Sequence, residues 1–251
     1  RAGVESLALP HGAFALEAAA PPGAAAAALA APRLLRLDLS GCGSLSDNGL
    51  SLLVGSAPRL SHLVVSCNAR LRTPVLRSPR LVSASFNICS NLEDAAVTAL
   101  VASAATSLRE RSLWRCAALR EPVLRAPALV ELNLAQCVEL TDAAVAAAAD
   151  GCPRLRSLQL AGCARLARPA AFGGAEVRTL DLSSTELSDK TISDAVACAA
   201  PRLERLDVSF IEDLAAPALG APALRLLDAA GCASLRDAAV PAACAPSPPL
   251  A

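Results

Sequence analysis

Two histidines, ten cysteines and 23 carboxylates are the side chains with which this sequence could do chemistry. His62 and Cys67 make the nearest thiol–imidazole pair, five residues apart. At about 3.3 Å per residue a strand would separate them by roughly 16 Å, too far for a nucleophile and its base. His11 has no such neighbour. The cysteines include no C-x-x-C and the histidines no H-x-x-x-H, so the usual spacing for zinc is missing. No G-x-G-x-x-G, Walker loop or G-x-S-x-G occurs. The expectation is a chain without an active site, a resident metal or a cofactor.

The cysteines instead mark a period. Cys42, Cys89, Cys116, Cys137, Cys163 and Cys232 all occupy one position of the pattern L-x-x-L-x-L-x-x-C-x-x-L, and Asn68, Thr185 and Ile211 fill it elsewhere. Copies start at Leu34, Leu60, Leu81, Leu108, Leu129, Leu155, Val177, Leu203 and Leu224. A worn copy starts at Val4, and Leu250 looks like the start of another. From Leu34 onward the starts step by 26, 21, 27, 21, 26, 22, 26, 21 and 26 residues. A fixed period of this size is the signature of a solenoid, in which each coil buries its apolar face against its neighbours. The shared thiols are then expected to be buried and to donate to backbone carbonyls. Stacked side chains pointing one way are poorly placed for disulfides. Cys152, Cys198 and Cys244 fall near the ends of long repeats, where the expectation is that they join the same core.

The two repeat lengths imply two return paths. Each long repeat has an Asp two residues after its last Leu (Asp47, Asp94, Asp142, Asp189, Asp237), followed by apolar residues at helical spacing such as Val97, Leu100 and Val101. Asp suits a helix N-cap. The short repeats carry prolines instead: Pro74 and Pro79, Pro122 and Pro127, Pro217 and Pro222. Those exclude a regular helix and favour an extended path. A helix of about 8 residues with about 6 extended ones reaches as far, near 32 Å, as about 10 extended residues. Long and short coils can therefore stack.

Composition excludes several classes of function. The net charge is zero and 18% of residues are charged, which gives no argument for nucleic acid or an anionic membrane as partner. The alanine-rich stretches are broken by proline, so no membrane span is expected. Thiols placed for a reduced core, with no N-x-Ser/Thr sequon, favour the cytoplasm or nucleus. Residues 1–33 read as a degenerate first repeat with an Ala/Pro-rich insertion. Residues 34–251 read as the solenoid proper, a fragment of a longer array because it stops as a repeat begins.

Leu37-Asp38-Leu39-Ser40-Gly41-Cys42, the run Leu132 to Asp142 and Gly151-Cys152-Pro153-Arg154-Leu155 resemble the cysteine-containing leucine-rich repeats of F-box/LRR proteins. The resemblance implies an α/β fold: a curved leucine-rich repeat solenoid with a parallel sheet on its concave face. Here, unlike in that family, long helical repeats (26–27 residues) alternate with short proline-containing ones (21–22). It also implies a protein partner on that face. At its most specific it implies the substrate-binding part of an F-box/LRR ubiquitin-ligase receptor, joined to its SCF adaptor through a region outside this chain. The alternative is a scaffold or regulatory module unrelated to ubiquitination.

Outward strand positions fall in three columns, from Arg36, Asp38 and Ser40 in the second repeat to Leu226, Asp228 and Ala230 in the tenth. The candidate contacts are His62, Glu110, Glu131, Asn133, Gln159, Asp181, Asp207, Asp228 and Trp114. Trp114, the only tryptophan, is either an interface anchor or the filler of a gap left by Arg111. Asp181, Asp207 and Asp228 would stack on successive strands, which either calls for a cationic partner or merely follows the family's Leu-Asp-Leu-Ser motif. A stripe of arginines at the strand entry (Arg33, Arg59, Arg80, Arg154, Arg156, Arg178, Arg202, Arg225) would hold a phosphate-rich ligand or form a solvated rim interleaved with acids. Two core positions break the pattern: Ala84, expected to be offset by Phe86, and Arg111. The latter should reach an edge, pair with Glu110 or Glu131, or mark a register fault.

Overall fold

The computed structural model describes residues 5–8, 31–168, 176–199 and 201–236. Within them every repeat contributes one three-residue strand: β1 (Ser6–Ala8), β2 (Arg36–Asp38), β3 (His62–Val64), β4 (Ser83–Ser85), β5 (Glu110–Ser112), β6 (Glu131–Asn133), β7 (Ser157–Gln159), β8 (Thr179–Asp181), β9 (Arg205–Asp207) and β10 (Leu226–Asp228). They form one parallel sheet in sequence order. Pairing is position for position, as in Leu37 beside Leu63 and Leu132 beside Leu158. The hydrogen-bond ladder runs past each strand: Leu39 N–H donates to Val64 O and Gly41 N–H to Ser66 O, both at 2.8 Å.

The worn first repeat forms β1, paired with β2. Its insertion, with His11, lies outside the described residues, as do Asp237, Cys244 and Leu250.

The repeated leucines line a continuous core. In the second coil Leu34, Leu37, Leu39, Cys42 and Leu45 are all buried. The thiols stitch coil to coil: Cys89 Sγ lies 3.2 Å from Val65 O, Cys116 Sγ 3.0 Å from Phe86 O, Cys137 Sγ 3.1 Å from Leu113 O and Cys163 Sγ 3.2 Å from Leu134 O. Asn68, in the same position, donates to Leu39 O at 2.9 Å. Cys152 is buried and bonds Leu124 O. Cys198 is not part of the core: it lies on an outer helix face and is exposed.

The long coils carry helices α1 (Asp47–Gly55), α2 (Asp94–Ala104), α3 (Asp142–Gly151) and α4 (Asp189–Ala199). The aspartates at their starts are not the N-caps. Those positions belong to Ser46, whose hydroxyl accepts from Gly49 N–H at 3.2 Å, and to Glu93 and Thr141. Each aspartate sits one residue inside the helix and reaches sideways to the following short coil. Asp47 accepts from Arg72 and Thr73 N–H, both at 2.9 Å. Asp94 accepts from Arg120 N–H at 3.0 Å and Glu121 N–H at 2.9 Å. Asp142 binds Ala167 and Arg168, and Asp189 binds Ala215 and Ala216, in the same way.

One turn further along, Ser51, Thr98 and Ser193 accept from Val75, Val123 and Ala218 N–H at 3.0, 3.0 and 2.8 Å. The proline of each short coil (Pro74, Pro122, Pro217) falls between the clamped amides, where no N–H is available or needed. The short coils thus run extended because each preceding helix supplies the acceptors their backbone lacks.

The third residue past the end of each of β2 to β10 turns left-handed, from Gly41 (φ 69°) to Gly231 (φ 72°), with Cys67, Ile88, Arg115, Gln136, Gly162, Ser184 and Phe210 between. At Gly162 the glycine eases both the turn and the packing against the Gln136 side-chain amide. Its φ is 64° and a Cβ would collide with Gln136.

Arg111 neither reaches an edge nor pairs with Glu110 or Glu131. It is 3% exposed, and its Nε and Nη1 have no hydrogen-bond partner. Its strand stays in register, with Ala84 on one side and Leu132 on the other, so there is no slip. The guanidinium lies 5.6 Å from the centre of the Phe86 ring, a cation–π contact out of water. Burial draws its pKa down from the usual guanidinium range to about 10. Ala84, the smallest side chain at this inward position, stands directly beside it.

Candidate functional site: the outward face of the sheet

Alternation along each strand sends the first and third residues outward and the middle one into the core. Every outward position of β2 to β10 is half-buried or exposed. The side chains that form this face differ from coil to coil, whereas the inward ones repeat.

A shallow depression of about 230 Å³ lies across β4 to β7, walled by Glu110, Glu131, Asn133 and Gln159 over a floor of small hydroxyls such as Ser83 and Ser112. Four of the residues singled out from the sequence are thereby brought together. Glu110 and Glu131 stand side by side on adjacent strands, with no ion pair among the described residues. Like charges so placed are mutually unfavourable until a cation arrives.

The other candidates are spread along the face. His62 sits on β3, with Nδ1 2.8 Å from Ser61 Oγ. Trp114 follows β5, half-buried, at the far end of the strand from Glu110. Its backbone N–H donates to Asn87 Oδ1 at 3.0 Å, and the Arg115 guanidinium lies 5.5 Å from the centre of its ring. The Arg111 guanidinium stacks on Phe86.

Asp181, Asp207 and Asp228 occupy β8 to β10 as a column. Each turns one oxygen back to the N–H two residues on, at 3.0, 2.9 and 2.9 Å, and two of them also accept from a serine hydroxyl. Asp38 and Asn133 do the same at 2.9 Å. This local bond gives Asp or Asn a structural reason to recur here.

The arginines at the strand entry divide into two sets. In the seventh to ninth coils they alternate with acids: Glu176 lies 4.0 Å from Arg156 and 3.3 Å from Arg202, and Glu204 lies 2.7 Å from Arg178. Arg33, Arg59, Arg80, Arg154 and Arg225 are in no ion pair among the described residues.

Sequence reasoning missed the serine floor of the depression, because a serine column carries no chemical signal of its own. It also missed Phe210, which takes a left-handed turn, is 63% exposed and lies beside Glu186, Glu212 and Asp213.

Among the described residues no three His, Cys, Asp or Glu side chains are grouped to hold a metal ion. No helix there is long and apolar enough to cross a membrane.

Residues 32–54 match a family model described as Leucine Rich repeat. No curated protein matches the sequence. Among solved structures, a chain of the "Crystal structure of Rad7 and Elc1 complex in yeast" is similar at 19% identity and a TM-score of 0.44, over 74% of this chain. The match spans 65% of that chain, under two thirds of its length. The matched repeat is the second of ten coils built alike, each giving one strand to a parallel sheet and most giving a thiol or its substitute to the ladder beneath: the fold is that of a leucine-rich repeat solenoid.

Proposed function

We propose that this solenoid is a protein-recognition module whose sheet face takes the partner. The observation that carries this reading is the contrast between an open outward face of varied side chains and a repeated interior. Glu110, Glu131, Asn133 and Gln159 form the central contact, with Trp114 at its edge as the anchor. Buried tryptophan contacts of this type dominate many interfaces. His62 extends the contact toward the first coils, and Asp181, Asp207 and Asp228 extend it toward the last. The paired carboxylates favour a partner that presents an arginine or lysine. No catalytic, metal or cofactor role is assigned to any residue.

The finer reading is the substrate-binding part of an F-box/LRR ubiquitin-ligase receptor in the cytoplasm or nucleus. The Leu132 to Asp142 motif supports it by resemblance. In that reading the SCF adaptor is contacted by a region outside residues 1–251.

The test is affinity capture with the whole chain. Proteins held by the wild type should be lost with Trp114→Ala and with a Glu110→Arg/Glu131→Arg variant. They should be retained with Asp150→Ala on the outer side of α3. Retention of every partner by the sheet-face variants would overturn the site. Adaptor and ubiquitin-ligase subunits among the captured proteins would favour the finer reading over a scaffold.

A further inference from the structure

The zero net charge conceals two opposite ends. Residues 31–92 hold seven arginines and two aspartates, with Arg72 paired at 3.2 Å to Glu93, the residue just past that stretch, whereas residues 176–236 hold six basic and ten acidic residues. Neither aspartate of the first stretch is free to offset its arginines at the strand entry. Asp38 is folded onto Ser40 N–H at 2.9 Å on the sheet face, and Asp47 is clamped on Arg72 and Thr73 on the return side.

Three of those arginines share one backbone site. Arg33, Arg59 and Arg80 each follow a proline and precede an inward leucine. Each is the third residue of a tight turn, closed by Leu34 N–H to Ala31 O (3.0 Å), Leu60 N–H to Ala57 O (3.0 Å) and Leu81 N–H to Ser78 O (3.1 Å). Identical turns on successive coils stack the three side chains at about 4.8 Å per coil, so they span roughly 10 Å. All three are exposed and in no ion pair among the described residues; Arg36, exposed on β2, adds a fourth cation. The row stops at the fifth coil. There Ser107 takes the arginine position and spends its hydroxyl on Pro79 O and Leu81 O, both at 2.8 Å, and Glu110 follows. Where the stripe resumes, Arg156, Arg178 and Arg202 face Glu176 and Glu204, and only Arg154 and Arg225 are in no ion pair among the described residues.

We infer that this rim of the second to fourth coils is a docking site for an acidic segment of a partner protein, a short extended run of Asp and Glu. Arginines set in a row by identical backbone turns and lacking carboxylates fit successive carboxylates of such a segment. A span near 10 Å suits about three extended residues. Nucleic acid fits less well. Phe86, the one Phe, Tyr or Trp in 31–92, is buried, which leaves His62 as the sole ring on this part of the face, too little for a base-stacking platform. A longer polyanion continuing along the face would meet Glu110 and Glu131. The rim is separate from the central sheet-face contact and can fail or succeed independently of it.

The probe is a fluorescein-labelled peptide of ten glutamates, titrated with the whole chain by anisotropy at low and moderate salt. The comparisons are a ten-residue Gly/Ser peptide and a ten-nucleotide oligo-dT. The expected result is binding of the acidic peptide that weakens with salt and falls about tenfold or more in Arg33→Glu/Arg59→Glu/Arg80→Glu. The matched variant of the neutralised rim, Arg156→Glu/Arg178→Glu/Arg202→Glu, should bind within about twofold of wild type. Unchanged thermal melting shows that both variants fold. No binding by the wild type, equal loss in both variants, or tighter binding of the oligonucleotide with the same dependence on the three arginines would overturn the inference.

Discussion

The two sides of each coil solve opposite problems. On the sheet side the backbone is the same in every coil, three residues in register, while the outward side chains change from Arg36 to Glu110 to Asp181. On the return side the backbone alternates between helix and extended chain, while the functional groups repeat: Asp47, Asp94, Asp142 and Asp189 each clamp two amides of the next coil. Repetition of side chains marks where the chain must hold itself together. Variation on a fixed backbone marks where it is free to meet something else. Substitutions on the return side should therefore cost stability and leave binding alone, and those on the sheet side should do the reverse.

The largest effect should come from the core shared by the two sides. Burial pushes the Cys89 thiol up to about 11 and those of Cys116 and Cys163 to about 12, and it raises Cys137 too. In the unfolded chain these thiols ionise near 9, so their contribution is fully present below pH 9 and is lost as pH rises toward 12. Each can lower stability by up to about 1.4 kcal/mol per pH unit in that window. Unfolding free energies from denaturant titrations at pH 8 and 10 should differ by several kcal/mol, with the midpoint lower at pH 10. Arg111 acts in the opposite direction. Its depressed pKa makes its burial unfavourable below about 10, relieved above that. A midpoint that does not move between pH 8 and 10 would mean that the thiols are not buried as described.

Next in size is Arg111→Leu, which restores the residue found at this inward position in β2, β3 and β6 to β9. Replacing an uncompensated buried cation by an apolar side chain should raise stability by about 1–4 kcal/mol, read by chemical denaturation. A loss of stability would show that the Phe86 contact outweighs the desolvation.

On the return side, Asp94→Ala removes two charge-assisted bonds to the fifth coil and should cost about 2 kcal/mol. Thr98→Val removes one neutral bond to Val123 N–H and should cost about 1 kcal/mol. In both, hydrogen exchange should quicken at residues 120–123 and not at Arg72 or Thr73. Uniform quickening would deny the clamp its local role.

The smallest expected stability change is on the sheet side. Trp114→Ala, of a half-buried residue, should stay within about 0.5–1 kcal/mol of wild type. Thiol labelling offers a parallel check: Cys67 and Cys198 should react at once in the folded chain, Cys232, only half-buried in the tenth coil, more slowly, and Cys42, Cys89, Cys116, Cys137 and Cys163 only on unfolding.

Much of the fold was legible in the sequence because leucine and cysteine recur at positions that a solenoid must bury. The prolines of the short repeats told an extended path from a helix. The role of the aspartates was not legible. A helix-start Asp reads as a cap within its own helix, and its actual partners lie 25 to 27 residues away in the next coil. Arg111 was misread for a related reason. Charge pairing suggested Glu110 or Glu131, but those point outward while the middle residue of a strand points in. Cys198 shows the limit of spacing alone, since it is on an exposed turn of α4. For the site, the outward columns were readable from strand alternation. The depression was not, because it depends on the small size of serines at β4, β5 and β7 beside the glutamates.

The separation of the two sides is tested most directly by measuring both properties on one pair of variants. For Trp114→Ala and Asp94→Ala, the thermal midpoint and the retention of captured partner are determined side by side. The account predicts that Trp114→Ala melts with the wild type and loses the partner, while Asp94→Ala melts earlier and, below its midpoint, keeps it. Partner loss with Asp94→Ala and retention with Trp114→Ala would contradict it.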